Sequence, residues 1–162
     1  NNNPHISYHH GGVPSEYPRT FAPPGLYYAF KEVDVWRIEA VDLTGNPGWY
    51  VAMALDSSGN PHISYADYEK ADLEYAFKSG GTWSTKTLDS AGLVGWHTSI
   101  DLDSAGNPHI SYLGEGNLKY YSSSKVDIFV GLPPFASYAL LIVGVVIIIV
   151  GITTLLKGRR TQ

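Results

Sequence analysis

Three histidines occupy one place in a recurring hexapeptide. Asn-Pro-His-Ile-Ser-Tyr stands at 3–8, 60–65 and 107–112, which makes His5, His62 and His109 equivalent. Repeat-related imidazoles could line a metal site, but zinc needs ring nitrogens within about 2.1 Å of one ion. Equivalent positions on successive repeats lie far apart unless they sit on an innermost strand. Each His is therefore expected to bond to a neighbouring loop or repeat. His9-His10 is too isolated to make a metal site. Asp101-Leu-Asp103-Ser-Ala-Gly-Asn107 spaces its oxygens somewhat like a calcium loop, yet it lacks the downstream Glu, and Ala54 replaces the first Asp in the other copy. Turn chemistry explains it better. No metal or cofactor is expected, with calcium as the one alternative. Asp67, Glu69, Asp72 and Glu74 read most simply as a solvated rim rather than an acid–base pair. The chain has no cysteine, hence no catalytic thiol, disulfide or Cys-ligated zinc. No serine elbow, phosphate loop or nucleotide fingerprint is present. No enzyme is expected, and a glycan hydrolase fragment is the remaining catalytic alternative.

The aromatic residues offer more. Trp36, Trp49, Trp83 and Trp96, with Tyr27, Tyr28, Tyr50, Tyr65, Tyr68 and Tyr75, either pack between repeats or stack on sugars and partner surfaces. Trp49 and Trp96 are candidate binding residues. Residues outside the repeat are not required by it, which singles out the 9–25 insertion with Tyr17, Arg19 and Phe21 as a second candidate. Residues 1–130 carry eight Lys and Arg against fifteen Asp and Glu. Nucleic acid is thereby an improbable partner, since phosphate binding needs clustered cations.

The elements that must position these groups follow from the repeat. Leu26 to Lys31 aligns with Leu73 to Lys78, Trp36 with Trp83, Asp42 with Asp89, Gly48-Trp49 with Gly95-Trp96, and Leu55-Asp56 with Leu102-Asp103, always 47 residues apart. Each period holds four short runs suited to strands, at 51–55, 62–65, 73–77 and 83–88 in the middle copy. Asp56-Ser-Ser-Gly-Asn60 and Asp103-Ser-Ala-Gly-Asn107 place Asp and Gly where turns need them. Four strands in 40–50 residues is one propeller blade. The fold is expected to be all-β, with strands at 4–8, 26–31 and 36–42, a complete unit over 50–88, and a third unit whose last strand is 125–130.

Residues 54–65 and 100–112 resemble the first hairpin of bacterial and archaeal β-propeller repeats, which read as a short apolar strand, Asp-Ser-x-Gly-Asn, then a second strand. The resemblance implies that 51–55 and 98–102 are innermost strands and 83–88 outermost. It implies nothing specific about ligand, because such blades serve in lectins, adhesins and scaffolds alike. About three blades are fewer than a closed ring needs. The expectation is a sequence that begins inside a larger propeller, with ring completion by self-association as second choice.

Residues 136–156 form twenty-one uncharged positions, thirteen of them Leu, Ile or Val. As a helix they span about 31 Å, the thickness of a bilayer core. Lys157, Arg159 and Arg160 follow directly, which puts the C-terminus in the cytoplasm and the repeats outside. Tyr138 sits at the outer interface, and Gly144 and Gly151 are candidates for close helix contact. Residues 131–135 are a Pro-containing linker, and the whole tail is similar to C-terminal anchors of archaeal and some bacterial surface proteins. The chain therefore reads as a single-pass cell-membrane protein. Its expected role is adhesion, envelope architecture or scaffolding, with a lectin-like role as the alternative. The expected partners are the bilayer, other surface or membrane proteins, further copies of itself, and glycans.

Overall fold

The computed structural model describes residues 3–11, 22–122 and 125–129. These form eleven strands in three antiparallel sheets. The first holds β1 (His5–His10), β2 (Gly25–Glu32) and β3 (Val35–Asp42), in that order. The second runs β4 (Pro47–Leu55), β5 (Pro61–Asp67), β6 (Asp72–Ser79) and β7 (Thr82–Asp89). The third runs β8 (Trp96–Leu102), β9 (Pro108–Gly114), β10 (Asn117–Ser122) and β11 (Lys125–Phe129). All four expected runs of the middle unit are strands, each extended by one to four residues at one or both ends. No helix among the described residues is long and apolar enough to cross a membrane. The span at 136–156, the linker before it, Tyr138, Gly144, Gly151, Lys157, Arg159 and Arg160 lie outside the described residues, as do Tyr17, Arg19 and Phe21.

The turns form as their sequences dictate. The Asp56 carboxylate accepts the backbone N–H of Ser58 at 2.9 Å and of Asn60 at 2.8 Å, and Gly59 takes a φ of 82°. Asp103 does the same for Ala105 and Asn107, with Gly106 at 81°. A short polar side chain thus satisfies the turn's own N–H groups, and glycine supplies the left-handed step. The Asn107 side chain and these N–H bonds pull the Asp103 carboxyl down to about 2. Both of its oxygens accept hydrogen bonds from within the turn. Among the described residues no group of three or more His, Asp or Glu is placed to hold a metal ion.

The core is one joint made twice. Leu26 and Tyr28 of the first sheet pack on Ile63 and Tyr65 of the second. Leu73 and Tyr75 of the second pack on Ile110 and Tyr112 of the third, each a repeat equivalent. Hydroxyls bolt both joints: Tyr65 donates to Asp42 Oδ2 and Tyr112 to Asp89 Oδ2, each at 2.8 Å. Burial, with these carboxylates adding to it, raises both phenols well above their usual range. The second sheet is covered on both faces, so every residue of β5 is buried, whereas in β9 burial is only partial. The same hexapeptide therefore reads as a fully buried strand in one copy and a half-buried one in another.

The repeat histidines bond within their own sheet, and two of them also reach a neighbouring loop as expected. Nδ1 of His5, His62 and His109 bonds to the hydroxyl of Tyr28, Tyr75 and Tyr120 on the adjacent strand of the same sheet, while Nε2 of His62 and His109 lies 3.8 Å and 3.6 Å from the Oδ2 of Asp56 and Asp103 in the preceding turn. The pairing register sets His62 opposite Phe77, with Tyr75 two residues along on the same face. This diagonal distance is within reach of a tyrosine.

Candidate functional site

At the start of each inner strand the chain departs from regular geometry. Gly48 and Gly95 take φ values of 97° and 87°, and Tyr50 and His97 both take 51°. Neither glycine has room for a side chain. A Cβ on Gly48 would lie 3.2 Å from Leu26 Cα, and one on Gly95 would lie 2.8 Å from the Asp72 carbonyl oxygen. The ladder slips here, between Trp49 and Ala52 and between Trp96 and Ser99. Such a slip re-aims side chains. Left-handed backbone at a non-glycine residue costs about 1–3 kcal/mol and collects at functional sites.

What the slip re-aims is aromatic. Ring centroids run from His9 to Trp49 at 5.0 Å and from Trp49 to Tyr68 at 5.2 Å. The series continues from Tyr68 to Trp96 at 6.0 Å, Trp96 to Tyr50 at 5.2 Å and Tyr50 to His97 at 4.4 Å. Six rings from all three sheets thus form one continuous rail. It is not core: Tyr68 is 55% exposed and Trp49 37%. Trp83, by contrast, packs against the core joint. Beside Trp96 opens a cavity of about 430 Å³ lined by Leu93, Trp96, His97, Leu113 and Glu115. That volume is within the roughly 300–1,000 Å³ of small-ligand sites.

Polar groups edge the rail and hold it. Trp49 Nε1 donates to Asn46 Oδ1 at 3.2 Å. His9 Nδ1 lies 2.9 Å from the Pro47 carbonyl oxygen. The buried Asp67 carboxylate accepts the N–H of Asn46 at 3.2 Å and of Glu69 at 3.0 Å, with the Lys70 ammonium 3.0 Å away. Burial alone would raise its carboxyl, but Lys70 and these N–H groups outweigh it and hold it below the ordinary carboxylate range. Asp67 therefore stays charged and fixes the loop under Tyr68. Glu115 Oε1 accepts the Leu93 N–H at 2.6 Å and shapes the far end.

The other acidic residues of this region do not converge. Glu74 is buried and accepts from Thr87 Oγ1 at 2.8 Å, and burial raises both Glu74 and Asp72. The expectation of a wholly solvated rim fails for Asp67 and Glu74, because each lies against a neighbouring strand or loop.

Of the candidates read from sequence, Trp49 and Trp96 come together through Tyr68. His97 and His9 were not among them. The signal was present as Gly-Trp followed by a ring residue, at 48–50 and again at 95–97.

No protein-family model and no curated protein sequence matches the chain. Among solved structures, the fold is similar to that of a fucose lectin from Kordia zhangzhouensis in complex with methyl-fucoside. The likeness has a TM-score of 0.51 at 15% identity, covering 80% of this chain and 92% of that one, and it is a likeness of fold.

Proposed function

We propose that residues 3–129 form a propeller-type, non-catalytic glycan-binding domain, held at a cell surface by the span at 136–156 and serving adhesion or envelope assembly. The observation that carries this is the exposed aromatic rail. Sugars present flat C–H faces that stack on aromatic rings, and hydroxyls that bond to polar groups at the ring edges. A rail of Trp49, Tyr68 and Trp96 bordered by Asn46, Lys70, His97 and Glu115 offers both. The fold likeness to a fucose lectin supports the class of ligand and makes a fucoside the first probe. The propeller reading is supported by the 47-residue period and by one three-stranded and two four-stranded sheets joined face to face in series.

The test is tryptophan fluorescence of the full chain in mild detergent, titrated with methyl-fucoside and then with a panel of oligosaccharides. A saturable change is expected. Trp49→Ala or Trp96→Ala should weaken affinity by roughly tenfold or more, the usual cost of removing a central aromatic contact. No response to any glycan would end the reading.

A further inference from the structure

Trp49 and Trp96 are repeat equivalents with unequal neighbours. They are in register with Ala66 and Leu113, near the ends of β5 and β9. The connections that follow differ in length: residues 68–71 join β5 to β6, whereas 115–116 alone join β9 to β10. Tyr68 and Glu115 nonetheless begin those connections at the same place. The Tyr68 N–H donates to the Asn46 carbonyl and the Glu115 N–H to the Leu93 carbonyl, both at 3.0 Å. Asn46 and Leu93 each lie three residues before the tryptophan of their own copy.

From that shared start the two side chains part. The Tyr68 ring lies on Trp49, with centroids 5.2 Å apart. Glu115 bends back instead, and its Oε1 accepts the Leu93 N–H at 2.6 Å. In the earlier copy that task falls to Asp67, whose Oδ1 accepts the Asn46 N–H at 3.2 Å. The position equivalent to Asp67 is Gly114, where an added Cβ would lie 2.7 Å from Val94 Cγ1 and 3.0 Å from Lys119 Cδ. A carboxylate has no room there, so the next residue supplies it. A residue so employed cannot lie on Trp96. The space left is the cavity of about 430 Å³, in whose wall Tyr68 takes no part. Leu93 and Leu113 line it and are 58% and 40% exposed, apolar surface that gains by being covered.

We propose that Tyr68 stands on Trp49 where a ligand ring would stand, and that the Trp96 cavity takes one neutral pyranose ring in the corresponding place. The described residues then hold one open ring site and one that the chain closes with its own side chain. This rests on the glycan-binding reading above and narrows it. A pyranose on Trp96 sets its C–H face against the indole, Leu93 and Leu113, while His97 and Glu115 at the cavity wall meet its hydroxyls. The Glu115 carboxylate repels an acidic sugar, which selects an uncharged one.

The test counts sites by titration calorimetry of the full chain in mild detergent. The probes are methyl-fucoside and the oligosaccharide of highest affinity in the panel. The unaltered chain should bind one molecule per chain. Tyr68→Ala should raise the count to two, because it bares Trp49 as Trp96 is bared, and adding Trp96→Ala should return it to one. Glu115→Tyr puts a ring where Tyr68 has one and should weaken binding by roughly tenfold or more. A gained site cannot come from damage to the fold, so Tyr68→Ala decides the matter even where Glu115→Tyr fails to fold. A count that does not rise in Tyr68→Ala overturns the proposal and leaves glycan binding standing. An unaltered chain that binds none of the probes overturns both.

Discussion

His97 is exposed, yet it keeps a left-handed backbone, φ 51°, that glycine would adopt freely. Nothing in the core requires a histidine there, and its ring lies 4.4 Å from that of Tyr50 at the end of the rail. The strain is therefore tied to the aromatic rail. His97→Gly should stabilise the protein by about 0.5–1 kcal/mol while weakening glycan binding, a trade common at strained sites. Urea unfolding alongside the fluorescence titration checks both signs. A variant that lost stability would show that the His97 ring packs more than it binds.

At the scale of elements, what joins sheets is apolar packing crossed by a few buried polar contacts. Between the second and third sheets, the Lys119 ammonium lies 2.6 Å from Asp89 Oδ2, and the same oxygen accepts from Tyr112. Burial alone would raise the Asp89 carboxyl, but Lys119, the Ala91 N–H and Tyr112 outweigh it and hold it below its ordinary range. Lys119→Met should cost about 3–5 kcal/mol, because it strands a buried carboxylate. Chemical denaturation measures it, and adding Asp89→Asn should recover part of the loss. The corresponding position in β6 is Glu74, which bonds to Thr87 instead. The repeat thus conserves the apolar joint while its ionic contacts differ from one sheet to the next, and no pattern in the sequence announces which lysine meets which acid.

At the scale of the molecule, pH acts on many groups at once. Burial pushes the His62 imidazole below its usual 6.5, against the pull of Asp56. Its protonated form is disfavoured in the fold, so its contribution is complete above 6.5 and drains away as pH falls below that value. The Asn60 side chain holds the Asp56 carboxyl below its ordinary 3.8, and Asp89 is held down likewise. Their contributions are present above 3.8 and are lost as pH falls through the lowered values. Glu74, raised by burial, works in the opposite direction. Stability should fall from pH 7 to pH 5, and His62→Asn should flatten that slope. Urea midpoints at the two pH values provide the check.

Alternation, turn residues and the 47-residue period were enough to locate the strands, because strand formation and turn chemistry depend on neighbours within a few residues. Asp56 and Gly59 form the same turn as Asp103 and Gly106, and a last strand was legible at 125–130 from the repeat, of which 125–129 is observed as β11. The rail was not legible. Trp49 and Trp96 matched the repeat and so read as packing residues as much as ligands; only the register slip and the approach of three sheets bring them together through Tyr68. Nor could the hexapeptide tell that Ile63 is sealed and Ile6 open. Sequence sets which face of a strand is apolar, whereas burial depends on what lies across that face, and that comes from parts of the chain far away in sequence.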